Sequence, residues 1–141
     1  MSSYGLPISL QAAKKAAAAA LAHAVANKWT MAVAIVDPGG HLVYFEKMDD
    51  TQTGSVHVAQ AKARSAALFM RPTKVFQDAL AAGGEGWRML GLEGAVPVDG
   101  GLPVIIDGKV AGAIGLSGGT STQDGQCAQA GVEALKTGAG G

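Results

Sequence analysis

The run TMAVAIVDPGGHLVYFEK, residues Thr30 to Lys47, decides the fold. Thr30 to Val36 is rich in valine, isoleucine and alanine, the make-up of a buried strand. It stops at Asp37-Pro38-Gly39-Gly40, a dense turn signal, and His41 to Lys47 alternates well enough to return alongside it. The reading is a β-hairpin.

Working outward, Leu10 to Asn27 is predicted as a helix because alanine and lysine favour that conformation, with Ser9 as N-cap. Leu10, Ala13, Ala17, Leu21 and Ala24 fall along one face of it. Beyond the hairpin, Ser55 to Phe69 carries alanines at helical spacing and stops before Arg71-Pro72. Thr73 is expected to cap a short helix through Ala82, with Gly83-Gly84 as its left-handed exit. Glu85 to Glu93 has no assignable pattern. Ala95 to Val98, Leu102 to Ile106 and Lys109 to Leu116 read as three strands, the last two joined by the two-residue turn Asp107-Gly108. Ser121 is then expected to cap a final helix to about Lys136, with Asp124 in the position of a capping-box acid. The order αββααβββα does not alternate as parallel units must. It predicts an α+β fold with a five-stranded, largely antiparallel sheet and helices over its faces.

The 141 residues suit one domain, with a core of about residues 9 to 136 and a frayed tail at 137 to 141. Eleven basic residues balance eleven acidic ones, so no long-range field selects a polyanion, and nucleic acid is not an expected partner. The alanine run after Lys14-Lys15 superficially copies a secretory signal, but it is weakly apolar, contains His23 and is too short to span a bilayer. Together with a single cysteine, Cys127, this points to the cytoplasm. The composition holds 27 alanines and 21 glycines against seven aromatic residues. Small side chains bury little apolar area, at about 25 cal/mol per Å², so further burial between copies of the chain is expected.

Three histidines, His23, His41 and His57, fall outside metal-ligand spacings. His57 shares a helix face with Gln60 and Arg64, a surface suited to an anionic ligand. His23, on the alanine-rich helix, or His57 could supply an axial imidazole to haem iron. His41 beside the turn has a solvated structural role. Gly115 to Ser121 passes from a strand into a helix start, where the backbone N–H groups around Ser117, Gly118 and Gly119 could cradle an anion. It matches neither a dinucleotide fingerprint nor a P-loop, and Ser117 lacks a nucleophile elbow. Cys127 is expected as an inert core thiol. Lys62, between alanines, could be a base or imine former of lowered pKa, or a side chain that snorkels or pairs with a carboxylate such as Asp49 or Asp37.

The chain resembles the GlcG/HbpS group, also seen as the C-terminal domain of PduO-type cobalamin adenosyltransferases. The resemblance is carried by Val36 to Leu42, Met48-Asp49, Ser55 with Ala59 and Lys62-Ala63-Arg64, Gly100-Gly101-Leu102-Pro103-Val104, Asp107-Gly108, Gly112 to Gly118 and Gln123-Asp124, in order along the chain. It implies a profilin-like α/β/α sandwich assembling into homo-oligomers, often octamers. It also implies haem binding or degradation in some relatives, and association with corrinoid enzymes or with glycolate and aromatic-compound pathways in others. The Glu-x-x-Glu iron-binding pair of haem-sensing relatives is absent.

These readings combine into an expected small-molecule-binding homo-oligomer of the cytoplasm, with haem or a related tetrapyrrole as leading ligand. The pocket would lie near helix 55 to 69 and the Ser117 turn. His23 or His57 would ligate iron, Arg64 and Lys62 would meet carboxylates, and Trp87 or Met48 would give apolar contact. The alternative is an isomerase- or hydrolase-type enzyme on a small carboxylated or aromatic-derived metabolite. There Lys62 or His57 would move a proton and the Ser117-Gly118 turn would hold developing charge.

Overall fold

The computed structural model describes residues 3–136. Helix α1 spans Leu10–Ala26, and Ser9 caps it by accepting a hydrogen bond from Ala12 N. Strands β1 (Ala32–Val36) and β2 (Leu42–Lys47) form the expected hairpin, with Asp37 Oδ1 accepting from Gly39 N and His41 N across the turn. Helix α2 spans Ser55–Phe69 and α3 Thr73–Ala81. A 3₁₀ helix follows at Gly84–Gly91, entered through Gly83 and Gly84 with positive φ. Strands β3 (Gly101–Ile106) and β4 (Lys109–Ser117) lead into α4, Ser121–Lys136.

The sheet has four strands in the order β2-β1-β4-β3, all antiparallel. The expected fifth strand at Ala95–Val98 is absent. Its backbone donors do not reach a neighbouring strand: Ala95 N donates to Leu92 O and Val96 N to Ser65 Oγ, both at 3.1 Å, and just beyond it Asp99 N donates to Gln77 Oε1 at 2.7 Å. Pro97 removes a third donor. A different segment occupies part of the sheet margin. Residues 3 to 8 lie along the start of β4, with Val110 N donating to Ser3 O and Gly5 N to Val110 O.

Two caps differ from expectation by one residue. Thr73 is already helical, and its hydroxyl accepts from Gly101 N at 2.9 Å, tying α3 to β3. Thr120 caps α4 in place of Ser121. Its Oγ1 accepts from Gln123 N while Gln123 Oε1 accepts from Thr120 N, a reciprocal capping box that leaves Asp124 free for another task.

Alternation along β1 separates two unlike cores. Val33 and Ile35 join Ile114 and Leu116 beneath α1 and α4, a bulky layer with Met31 and Val132. Ala32, Ala34 and Ala113 face α2 and meet its Ala59, Ala63, Ala66 and Ala67. Small residues on both sides let α2 settle closely. A Cβ at Gly115 would strike Ala59 O and Ala63 N. Much of the alanine content is therefore buried inside one protomer. The tail at 137–141 lies outside the described residues.

Candidate functional site

The motif residues of α2, β3, β4 and α4 converge on a buried knot. Lys62, 1% exposed, extends from α2 past the end of the sheet. Its Nζ donates to Leu116 O at 3.0 Å and to Asp124 Oδ2 at 2.9 Å. The ion pair therefore joins the two helical layers around the start of β3, which has room for it because a Cβ on Gly100 would sit 2.8 Å from Nζ. The other Asp124 oxygen accepts from Gly119 N at 2.9 Å. Burial pushes the Asp124 carboxyl above its ordinary range, while the Lys62 hydrogen bond pulls the other way. Lys62 thus pairs with Asp124, in place of Asp49 or Asp37, and faces away from open solvent.

The same knot accounts for the Ser117 turn. Ser117 Oγ is buried and bonded to Ser55 Oγ at 3.0 Å, which also accepts from Gln52 Nε2. Gly119 N, offered to an external anion on sequence grounds, is taken by the chain's own Asp124 carboxylate. Gly118 sits tight against Thr30 O and the Met31 backbone.

An open cleft of about 500 Å³ lies over the outer face of α2. His57, Gln60 and Arg64, one and two turns apart, line it together as their spacing predicted. Val36, Leu42 and Ala61 give it an apolar floor, and the segment Gly94–Val96, which sequence reasoning did not connect with the site, forms the far wall. Two glycines in left-handed conformations brace Arg64. A Cβ at Gly40 (φ 84°) would lie 2.9 Å from its Cγ, and one at Gly94 (φ 89°) would lie 3.1 Å from its guanidinium. The arginine stem is therefore held between two backbone turns, and among the described residues no carboxylate pairs with its head.

The remaining sequence candidates lie elsewhere. His23 sits on α1, in the opposite helical layer, with its ring 6.0 Å from that of Trp29. Met48 packs on the α1/α4 core, its Sδ 3.3 Å from Met31 N. Trp87 stands 68% exposed on the 3₁₀ helix and does not line the cleft. Cys127 is buried, and desolvation pushes its thiol up to about 11. Among the described residues, no group of three or more His, Cys, Asp or Glu side chains is arranged to hold a metal ion, and no helix is long and apolar enough to cross a membrane.

A family model for haem degrading protein HbpS-like matches residues 8–133. The chain belongs to the HbpS-like family. It is similar to protein GlcG of Escherichia coli K12, with 37% identity over 110 residues, 78% of this chain and 81% of that protein. Its fold is that of Klebsiella pneumoniae protein ORFY, with TM-score 0.89 and 29% identity over 98% of this chain and 97% of that one. PduOC, solved as a complex with haem, superposes with TM-score 0.83 and 26% identity over 94% of this chain and 98% of that one.

Proposed function

We propose that this HbpS-like protein is a cytoplasmic homo-oligomer that binds a small carboxylate-bearing molecule, with haem or a related tetrapyrrole the leading ligand, in the cleft over α2. The observation that carries the reading is the braced, unpaired Arg64 beside His57 and Gln60 in an apolar-floored cleft. A guanidinium is suited to forked binding of a carboxylate, and a free imidazole is a common iron ligand. The donor set therefore fits haem: His57 would hold the iron, Arg64 and Gln60 would hold a propionate, and Val36 and Leu42 would meet the ring. Bound haem would supply redox-active iron. The family description and the haem complex of PduOC support the same ligand.

Titrating the purified protein with hemin tests this. A shifted Soret band that is lost in His57→Ala and weakened about tenfold or more in Arg64→Ala is expected. No Soret shift rejects haem, and a shift lost only in His23→Ala moves the ligand to the α1 face. Native mass spectrometry of the same sample reads the subunit number, for which an octamer is expected.

His57 beside an anion-holding Arg64 also favours a second reading, an isomerase- or hydrolase-type enzyme in which His57 moves a proton on a small carboxylated or aromatic-derived metabolite. Its signature is turnover abolished by His57→Ala with the oligomer intact.

A further inference from the structure

Asp99, in the segment before β3, was not singled out by any sequence pattern. It lines a cleft of about 330 Å³ between α3, β3 and α4. Gly125 of α4 makes room for its carboxylate, since a Cβ there would come within 2.6 to 2.8 Å of three Asp99 atoms. The cleft shares no lining residue with the one over α2.

The charges around this place do not balance. Lys62 is committed to Asp124 at 2.9 Å, and Lys74, which also borders the cleft, is committed to Asp78 at 2.8 and 3.1 Å. Each cation is thus matched by a carboxylate other than Asp99. Among the described residues Asp99 has no ion-pair partner. Its neighbours are Pro72 and Leu102 on the apolar side, and Thr122, Gln126 and Gln129 along one face of α4, three side chains that can each accept a hydrogen bond. Burial raises the Asp99 carboxyl above its ordinary range even though Gly100 N, Lys74 and Lys62 favour its charge. A partly desolvated carboxylate with one unit of charge left over, an apolar wall and a row of acceptors is complementary to a cation that carries N–H groups and a short hydrocarbon body.

We propose that the cleft over Asp99 is a binding site for a compact organic cation, a primary alkylammonium. Its N–H groups bond the Asp99 carboxylate and the oxygens of α4, and its alkyl chain lies on Pro72 and Leu102.

The test is ligand-observed saturation-transfer NMR on the full-length protein at neutral pH and fixed ionic strength. The probe is n-butylammonium, with n-butanol and n-butyrate as comparators. The ammonium should bind saturably, with butanol at least about tenfold weaker and butyrate silent, because a charge-assisted hydrogen bond is lost in one and reversed in the other. Asp99→Asn should lose about tenfold in affinity. Gln126→Lys places a cation in the cleft at an exposed helix position and should abolish binding, which keeps the test decisive if Asp99→Asn fails to fold. Equal binding of butanol, or full binding retained in Gln126→Lys or in a folded Asp99→Asn, overturns the proposal.

Discussion

Cys127 sits in the middle of α4 with its thiol against the α1/α4 core, and the carboxylate of Asp124 adds to the burial that disfavours thiolate. Because thiolate is the reactive form, the native protein should leave a thiol reagent such as DTNB unreacted at pH 8, with full reaction only after denaturant is added. At the Lys62–Asp124 pair, removing one partner strands a buried charge. Lys62→Met alone should cost about 3 to 5 kcal/mol in urea unfolding, whereas Lys62→Met with Asp124→Asn should cost less than the single change. Alanines on either side of Lys62 already marked it as unusual in the sequence. Its partner, 62 residues away, could not be read there, because only the chain path around β3 brings α2 and α4 side chains to one point. Asp99 gives a pH dependence whose sign follows from its direction of shift. Burial lifts it above its ordinary 3.8, so the folded chain retains this proton where the unfolded chain has released it. That contribution is present in full below the unfolded value and is lost as pH rises through the folded one. The stability difference between wild type and Asp99→Asn should therefore move against wild type across that rise, as urea midpoints would show.

Among the elements, the two hairpins and α2 carry the clearest local signals, and each forms where its pattern places it. Ala95–Val98 has strand-like composition but fails as a strand, since Leu92 O and Ser65 Oγ take the donors of Ala95 and Val96 and Pro97 cannot supply one. A local turn onto Leu92 O and a distant side chain, Ser65, outcompete a strand propensity there, and nothing near residue 95 announces the second. The cap of α4 is legible in hindsight from Thr120-x-x-Gln123, a capping box that the neighbouring Ser121 and Asp124 mimic one residue later. Thr120→Ala should cost about 1 kcal/mol and Ser121→Ala much less, read by chemical denaturation. Seating of α2 on β4 makes a harsher demand. Gly115→Ala would push a methyl into the backbone of α2 at Ala59 and should destabilise by about 1 to 3 kcal/mol or more.

Across the whole molecule, one face of the sheet carries two helices over bulky residues and the other a single closely seated helix over alanines. Burial within the protomer thus absorbs the small residues whose abundance suggested self-association. Exposed apolar side chains lie elsewhere. Trp87 and Leu90 on the 3₁₀ helix are 68% and 70% exposed, with Val75 of α3 and Leu92 also uncovered, and zero net charge does not oppose association. Under the proposed oligomeric function, sedimentation velocity should show an assembly whose size falls in Leu90→Arg. Site legibility was likewise uneven at this scale. Helical spacing alone grouped His57, Gln60 and Arg64, while the glycines bracing Arg64 and the wall at Gly94–Val96 required the tertiary path.

The segment at residues 3 to 8 has an effect beyond its own few contacts. β1 pairs with β4 only as far as Ala113, so the backbone groups of Val110 and Ala111 on that side would meet nothing but water without Ser3, Gly5 and Ile8. Trimming the chain to Ile8 would unmask a row of peptide groups next to an otherwise finished ladder. Such a bare rim invites docking by a foreign extended chain, and residues 3 to 8 keep it covered.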